Sequence, residues 1–368
     1  MLVCNRITAF ALAGLSLALP ATAATYQFTD LGNLGGGYSV ANAINDAGDV
    51  VGYSTNTLGP AYHPTLWTQG SISDLGGLPT GDNSGWAWGI NNAGQIVGQS
   101  TSSSGAPHAT LWTTKGDVTD LGTLGGTGSI AYAVNGSGQI VGEAQSATNS
   151  AQPTSWQPGQ YQSPTVLGSG VQAYALNSLG VAVGDGSSAN GSAHAMRFIE
   201  GSAQDLGTLG GTNAYARGIN DVGDIIGFSN TVGDTFTHAT LWTGNSIVDL
   251  GTLGGSNSQA LGINNGGQIV GFANTAFDAQ QHATLWKNGS ATDLNSVLDP
   301  SVAAEGWTLT KATAINNNGW IVGLASNSIT GVTDAFLLST TPAVPEPASY
   351  AIALTGLVLL AVMGRRRA

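Results

Sequence analysis

The sequence predicts an all-β fold, a seven-bladed β-propeller, on three observations: a repeat of about 44 residues, strand-like alternation within each repeat, and complementary half-repeats at the two ends. The repeat is marked by Ile-Asn-x-x-Gly-x-Ile-Val-Gly or a close variant. Successive asparagines of this motif are 46, 44, 42, 43, 44 and 52 residues apart. Seven copies occur, with their asparagines at Asn45, Asn91, Asn135, Asn177, Asn220, Asn264 and Asn316.

Each copy supplies four short strands. Apolar and β-branched residues alternate with polar ones over runs of about four to six positions, which is strand periodicity and too short for a helix. Asn-x-x-Gly between two such runs favours a tight turn, because Asn and Gly tolerate a positive φ. A His-Ala-Thr-Leu-Trp element follows, most plainly at 108–112, 238–242 and 282–286, and an Asp-Leu-Gly element comes a few residues later.

The two ends of the repeat region complement each other. The chain starts with a last strand, 26–31, that has no partner before it, and ends with a third strand, 334–338, that has none after it. Pairing these two strands would complete the seventh blade and remove two exposed edges. We therefore predict a ring that is closed by the N-terminal strand pairing in the last blade.

Composition excludes nucleic acid as a partner. The 368 residues carry 9 basic and 21 acidic side chains, a formal net charge of -12, and only 8% charged residues. Binding to phosphates requires clustered Lys and Arg, and between the two termini the chain has five, which are scattered: Lys115, Arg197, Arg217, Lys287 and Lys311.

The N-terminus has the pattern of a secretory signal peptide over 1–23. Arg6 precedes a short apolar run, and Ala21 and Ala23 are the small residues expected before the cleavage site. The single cysteine, Cys4, would be removed with this peptide. The exported protein would then have no thiol, disulfide or cysteine-based metal site.

The C-terminus, 342–368, combines a Pro-Glu-Pro element, an apolar stretch over 351–363 and an arginine cluster. The stretch is short for a transmembrane helix, but flanking arginines can reach the membrane surface and hold it there. A permanent membrane anchor and a transient one are both compatible with this pattern. The residues that define it are Val344, Pro345, Glu346, Pro347, Arg365, Arg366 and Arg367.

This order of parts resembles the PEP-CTERM sorting signal of Gram-negative bacteria. The resemblance implies that an exosortase processes the tail near Pro-Glu-Pro. It also implies a transient inner-membrane helix, followed by release to the cell surface or the exopolysaccharide matrix. The protein's partners would be the exosortase during sorting, the inner membrane before processing, and exopolysaccharide or other surface glycans afterwards.

The repeats themselves resemble the HAF family of bacterial extracellular repeats over residues 26–338. Threonine usually replaces the phenylalanine of the family's signature, and the repeat with Gln152 and Val166 lacks both the His and the Asp. The resemblance brings no catalytic residues with it, so none are predicted. The organisation is therefore a signal peptide at 1–23, a repeat domain at 24–341 and a sorting signal at 342–368.

The repeated polar residues point to structure rather than to metal binding. Equivalent histidines on different blades lie too far apart to share one zinc ion, so we expect each to bond a neighbouring strand or turn. The Asp of Asp-Leu-Gly is expected to accept hydrogen bonds from local backbone N–H groups. The turns with Asp46 and Asp221 place several oxygens together but lack the calcium-loop pattern, so we predict no cofactor and no metal, with calcium as the alternative.

Tryptophans outside the repeat pattern are the best candidates for a ligand site. Trp67, Trp112, Trp156, Trp242 and Trp286 share one repeated position and are expected to form the core. Trp86, Trp88 and Trp307 do not, and an indole ring can stack on a sugar. The alternative for these three is ordinary packing.

These observations predict a secreted, non-catalytic structural or binding module of the cell surface or matrix. Two alternatives stay open. One is a glycan-binding propeller that uses Trp86, Trp88 and Trp307. The other is a polysaccharide lyase or glycoside hydrolase, for which Asp299 and Glu305 are the carboxylate pair to consider.

Overall fold

The computed structural model describes residues 26–68, 70–79 and 81–340, which are built mainly of antiparallel strands. The predicted all-β class is confirmed. The predicted signal peptide and the predicted C-terminal sorting signal with its helix lie outside the described residues. Within the described residues, no helix combines the length and the apolar character needed to span a bilayer.

The repeating unit is four antiparallel strands in sequence order, numbered β1 to β28 along the chain. The asparagine motif forms the turn between the first and second strands. In the fifth repeat the N–H of Gly223 donates to the carbonyl of Asn220 at 3.1 Å, and the N–H of Asn220 donates to the carbonyl of Asp224 at 3.0 Å. The predicted hairpin chemistry is confirmed at this turn.

The first and second strands of each repeat pair with each other in antiparallel orientation. The first strands are β2 (Gly35–Ile44), β6 (Gly85–Ile90), β10 (Gly125–Val134), β14 (Gln172–Leu176), β18 (Gly210–Ile219), β22 (Gly254–Ile263) and β26 (Trp307–Ile315). The second strands are β3 (Val50–Asn56), β7 (Gln95–Thr101), β11 (Ile140–Ser146), β15 (Ala182–Ser187), β19 (Ile225–Thr231), β23 (Ile269–Thr275) and β27 (Ile321–Asn327).

The third strands carry the Trp element and the fourth strands are short. The third strands are β4 (Gly59–Thr68), β8 (Pro107–Thr113), β12 (Ala151–Trp156), β16 (Ala193–Ile199), β20 (Thr237–Thr243), β24 (Gln281–Lys287) and β28 (Thr333–Thr340). The fourth strands are β5 (Ser71–Asp74), β9 (Val118–Asp120), β13 (Thr165–Val166), β17 (Ser202–Asp205), β21 (Ser246–Asp249) and β25 (Ser290–Asp293), together with β1 (Tyr26–Gly32) from the start of the chain.

Among the described residues these strands form five four-stranded sheets and one eight-stranded sheet. The eight-stranded sheet has the order β26-β27-β28-β2-β3-β4-β5, with β1 also paired to β28. Its two halves are each antiparallel and meet at a single parallel bridge between Tyr38 and Thr333. The first and last repeats are therefore in direct contact.

The N-terminal strand pairs with the last strand of the repeat region. β1 and β28 are antiparallel, from Tyr26 opposite Thr340 to Asp30 opposite Phe336. The ring of Phe28 lies 5.6 Å from that of Trp307 and 6.5 Å from that of Phe336. Backbone pairing and aromatic packing thus both join the two ends of the described chain.

Tryptophans form the core between neighbouring sheets, as predicted. Trp156 packs with Val97 and Ala109 of the preceding repeat. Its Nε1 donates at 2.9 Å to the carbonyl of Leu121. The same repeated position is buried in all five cases, at Trp67, Trp112, Trp156, Trp242 and Trp286.

The glycine that ends each Ile-Val-Gly element is required by a close backbone approach. A Cβ at Gly227 would lie 1.9 Å from the carbonyl oxygen of Tyr215 on the first strand. The corresponding distance is 1.8 to 2.0 Å in all seven repeats. No side chain fits there, which explains why this glycine recurs without exception.

The last linker departs most from the repeat. It contains a 3₁₀ helix, Leu294–Val297, and a single-turn helix α1, Pro300–Ala304. Two other 3₁₀ turns, Val232–Asp234 and Ala276–Asp278, connect second to third strands. The added residues of the final repeat therefore form a local insertion, and the strand order is kept.

Candidate functional site

The seven motif asparagines form a cyclic series of hydrogen bonds. Each is buried, and its side-chain N–H donates to the backbone carbonyl of the motif asparagine in the next repeat. The distances run from 2.9 to 3.4 Å, and Asn316 donates to Asn45 to complete the cycle. We call these residues the ring asparagines. Their polar atoms bond to the protein itself, which assigns them a structural role.

A polar cavity of about 390 Å³ lies over the ring asparagines. Asp46 and Asp221 on its rim are both engaged by protein donors. Partial burial raises the pKa of Asp46, but hydrogen bonds from Asn92 and Asn317 lower it overall. The pKa of Asp221 is lowered, chiefly by the N–H of Ser178. Their oxygens thus have partners without calcium.

The histidines of the repeats pair with the Asp of Asp-Leu-Gly in the same sheet. In five repeats a histidine Nδ1 lies 2.6 to 2.9 Å from the carboxylate. The repeat in which Gln152 replaces the histidine also has Val166 in place of the aspartate. In the last repeat Asp30 is kept, but Asp334 stands at the histidine position. The structural pairs are His63–Asp74, His108–Asp120, His194–Asp205, His238–Asp249 and His282–Asp293.

The same aspartates also hold the turn that follows them. In the fourth repeat Asp205 accepts a hydrogen bond of 2.8 Å from the N–H of Gly207, and in the fifth repeat Asp249 does the same with Gly251. Asp30, Asp74 and Asp120 make the equivalent bond. Among the described residues, no group of three or more His, Cys, Asp or Glu side chains could hold a metal ion.

A different kind of surface is built from residues of the first strands that precede the asparagine turns. In every first strand the residue three positions before the ring asparagine is a β-bulge, flanked on both sides by Ala or Gly. A bulge leaves its extra residue outside the ladder and re-aims the side chain. The seven bulge residues, which we call the axial row, are Asn42, Trp88, Tyr132, Tyr174, Arg217, Leu261 and Thr313.

The axial row varies where the rest of the repeat is uniform. All of its members except Arg217 line a cavity of about 220 Å³. Next to it lie seven cross-strand pairs that also vary, Val40–Tyr53, Trp86–Gln99, Ile130–Glu143, Gln172–Asp185, Tyr215–Phe228, Gln259–Phe272 and Lys311–Leu324. We call the axial row and these pairs together the variable face.

Aromatic rings form a continuous series of contacts along one part of this face, and the series extends beyond the face to Tyr38 and Tyr62. The aromatic arc consists of Tyr38, Tyr53, Tyr62, Trp86, Trp88, Tyr132 and Tyr174, from the first four repeats. Neighbouring ring centroids are 4.9 to 6.4 Å apart. Every ring of the arc is partly exposed. The arc is therefore both packed and accessible.

An ion pair continues the arc into the fifth repeat. Nη1 of Arg217 donates to both carboxylate oxygens of Asp185, at 3.1 and 3.2 Å, and the guanidinium lies 3.9 Å above the ring of Tyr174. Burial raises the pKa of Asp185, and the attraction of Arg217 offsets part of that rise. Burial likewise raises the pKa of Tyr174, to about 12. The arginine is thus fixed in place by both contacts.

Glu143 is a second half-buried carboxylate, one repeat away from Asp185. Burial raises its pKa. Burial also raises the pKa of the Tyr132 phenol, and the negative charge of Glu143 raises it further. Glu143 and Asp185 occupy the same position in adjacent repeats, next to aromatic rings. Of the two, Asp185 is paired with Arg217, whereas Glu143 has no cation within 4.0 Å among the described residues.

Of the candidate ligand-binding tryptophans, the structure brings two together. Trp86 and Trp88 both belong to the aromatic arc, and both contact Tyr53. Trp307 packs instead against Phe28, as part of the core between β1 and β26. The predicted sorting-signal and cleavage residues, Val344, Pro345, Glu346, Pro347, Arg365, Arg366, Arg367, Ala21 and Ala23, lie outside the described residues.

Of the carboxylate pair considered for an enzyme, Asp299 has a structural role. It caps the N-terminus of α1 by accepting from the N–H of Ser301 at 2.9 Å, whereas Glu305 ends the helix through its backbone N–H. The hydrogen bonds from Ser301 lower the pKa of Asp299. Sequence reasoning missed Glu143 and Asp185, which a column-by-column comparison of the repeats would have found as variable positions.

The comparisons with known proteins give a partial family match and distant structural similarity. Residues 254–356, less than half of the chain, match the family described as protein of unknown function (DUF3466). No curated protein sequence matches the chain.

Two solved structures are similar at low identity. TolB from Acinetobacter baumannii is 14% identical, with a TM-score of 0.44, over 79% of this chain and 63% of TolB. The chain thus spans less than two thirds of TolB. A gluconolactonase from Xanthomonas campestris is 11% identical, with a TM-score of 0.39, over 88% of this chain and 99% of the gluconolactonase.

Proposed function

We propose that the described chain is a closed, seven-bladed β-propeller that binds glycans without cleaving them. Closure is supported by the pairing of β1 with β28 and by the hydrogen bond from Asn316 to Asn45, which completes the cycle of ring asparagines. The number of blades is supported by the seven repeats. Each contributes one ring asparagine and one bulge residue to the axial row.

The observation that carries the glycan-binding function is the aromatic arc on the variable face. Partly exposed Tyr and Trp rings combine a large apolar surface with a polar edge, and this suits the alternating apolar and hydroxyl faces of a sugar ring. Here three of the rings, Trp88, Tyr132 and Tyr174, are bulge residues, and the other rings of the arc lie on regular strand positions around them. The variation at these positions fits a ligand site, because a purely structural column would repeat as the ring asparagines do.

We further propose that the protein acts at the cell surface or in the exopolysaccharide matrix. This rests on the signal-peptide pattern at 1–23 and on the resemblance of 342–368 to a PEP-CTERM signal. In this proposal an exosortase processes the tail near Pro345. A chain truncated before Val344 would then accumulate in the culture medium or periplasm instead of at the surface, which cell fractionation measures.

Calorimetric titration of the purified protein with exopolysaccharide oligosaccharides tests the binding function. We expect saturable binding, with the oligosaccharide recovered at its original length. Trp86→Ala and Tyr62→Ala should each weaken binding about two- to tenfold, since one stacked ring contributes roughly 0.5 to 1.5 kcal/mol. Phe277→Ser is the matched control, because Phe277 is a 99% exposed aromatic residue outside the arc. Equal loss in the control, or no binding, would contradict the proposal.

A polysaccharide-cleaving enzyme is the second candidate, and the carboxylates Glu143 and Asp185 favour it. A glycosidase needs two carboxyl groups in different environments, one of them able to hold a proton near neutral pH. The pKa of Glu143 is raised, which is the direction that a general acid needs, and Asp185 differs from Glu143 by its ion pair with Arg217. Shortened oligosaccharides with the wild-type protein but not with Glu143→Gln would support the enzyme and contradict the non-catalytic proposal.

A further inference from the structure

The variable face carries two cations, and one of them is already neutralised. Nη1 of Arg217 donates hydrogen bonds to the carboxylate of Asp185 and, at 2.9 Å, to the carbonyl of Ala216. Its guanidinium is also stacked on Tyr174. The pair with Asp185 carries no net charge. Arg217 therefore supports the face, and any net attraction for an anion must come from the second cation.

Lys311 is that second cation, and it has no counter-ion among the residues that the structure describes. It occupies the position on β26 that Trp86 and Gln172 occupy in their repeats, and its Nζ lies 5.7 Å from the ring centroid of Phe272. Within the described residues, no carboxylate oxygen lies within 4.0 Å of Nζ. Burial lowers its pKa, and repulsion from Arg217 adds to the effect. A half-buried ammonium without a partner is unfavourable unless a ligand supplies the negative charge.

The other side of the face offers groups that suit hydroxyls. Nε1 of Trp88 and Oε1 of Gln99 are buried atoms that have no hydrogen-bond partner in the described part of the chain. One is a donor and the other an acceptor, so a sugar hydroxyl suits either, although both atoms are covered and a ligand reaches them only when neighbouring side chains shift. The carboxylate of Glu143, which likewise has no cation within 4.0 Å among the described residues, is a further acceptor. Hydroxyl-binding groups and the unpaired cation thus belong to different repeats of one face.

We propose that the ligand of the variable face is an acidic glycan whose uronate carboxylate pairs with Lys311. Its pyranose rings stack on the aromatic arc, and its hydroxyls bond to Trp88, Gln99 and Glu143. This inference rests on the proposed glycan-binding function and names its ligand class. The chain as a whole carries a formal net charge of -12, so attraction of a polyanion must be local to this face.

Titration of the full-length protein with oligogalacturonate and with its carboxyl-reduced form tests the inference, because the two probes differ only in the carboxylate. We expect the acidic form to bind at least about tenfold more tightly at low salt, and the difference to shrink as salt is added. Lys311→Met should remove the preference while the affinity for the reduced form stays the same. Lys311→Arg should keep the preference, which shows that the charge is what matters.

Lys287→Met is the matched control, because Lys287 is an exposed residue on β24 outside the variable face. It should leave both affinities unchanged. Equal affinity for the two probes would overturn the inference and leave glycan binding intact. A Lys311→Met variant that melts like wild type but loses both probes would also overturn it. Binding of neither probe to the wild-type protein would contradict the glycan-binding function as well.

Discussion

The side-chain amide of Asn316 donates a hydrogen bond of 2.9 Å to the backbone carbonyl of Asn45, although 271 positions separate the two residues. The same bond joins each ring asparagine to the next repeat. Within its own turn, Asn316 also accepts from the N–H groups of Asn318 and Trp320. One side chain therefore shapes a local turn and fastens the last repeat to the first.

Asn316→Ala should lower the free energy of unfolding by about 1 to 3 kcal/mol, because it leaves a buried carbonyl and two turn N–H groups without their partner. Urea denaturation measures this change. Asn92→Ala is the control, since Asn92 is an exposed turn residue that bonds Asp46 at the surface. Similar losses for the two variants would contradict the role assigned to Asn316.

Phe28→Ala should destabilise the whole repeat region, by about 2 to 4 kcal/mol. The substitution removes the contacts of β1 with Trp307 and Phe336, and so weakens the pairing that joins the two ends. A single cooperative transition at lower temperature is expected in calorimetry. Gln27→Ala, on the exposed side of the same strand, should leave melting unchanged. Melting of Phe28→Ala at the wild-type temperature would argue against closure through β1.

Much of the scaffold could be predicted from the sequence because the repeat recurs at nearly constant spacing. Local residue chemistry predicts the turn at Asn220, and the phase of the repeat predicts the core position of Trp156 and the pairing of β1. The sequence shows both the chemistry and the phase directly. The short helix α1 was not predicted. It lies in the one linker without a repeat equivalent, where periodicity gives no information.

The candidate site was harder to predict because it depends on a bulge. Simple alternation along β6 would place Trp88 on the same face of the strand as Trp86. The bulge between Ala87 and Gly89 breaks this alternation and changes the direction of the Trp88 side chain. The ion pair of Asp185 with Arg217 joins residues on two different repeats, and no sequence spacing signals such a contact. Trp307, which is also outside the repeat pattern, is a packing residue. A residue that departs from the repeat is therefore a candidate for ligand binding, but the sequence alone does not show whether it lies on the surface or in the core.

Calcium and chelators should leave the melting temperature unchanged. The oxygens of Asp46 and Asp221 bond to protein donors, and Nδ1 of each repeat histidine lies beside an aspartate. A ligand that binds only the folded state raises the melting temperature, so thermal melts with EDTA and with millimolar calcium check this. A shift of several degrees with calcium would show a metal site and revise the role of these turns.

Asp185→Asn should destabilise the protein by about 3 kcal/mol, since it leaves the partly buried guanidinium of Arg217 without its counter-charge. A double-mutant cycle with Arg217→Met checks the coupling. The double variant should lose less stability than the sum of the two single variants, because neither charge is then left alone. Additive losses would show that the two residues act independently.

Glu143→Gln should have the opposite effect from Asp185→Asn. Burial raises the pKa of Glu143, so the folded state holds its proton more tightly than the unfolded chain does. This contribution to stability is fully present below the ordinary pKa of glutamate and is lost as the pH rises through the folded-state pKa.

Glutamine imitates the protonated form. The variant should therefore be more stable than wild type near neutral pH and equal to it at about pH 4. Urea denaturation of both proteins at the two pH values measures the difference, with exposed Glu200→Gln as the control. Glu143 has no cation within 4.0 Å among the described residues. A loss of stability in Glu143→Gln at neutral pH would therefore contradict the prediction, because it would mean that the charged carboxylate is stabilised by a partner.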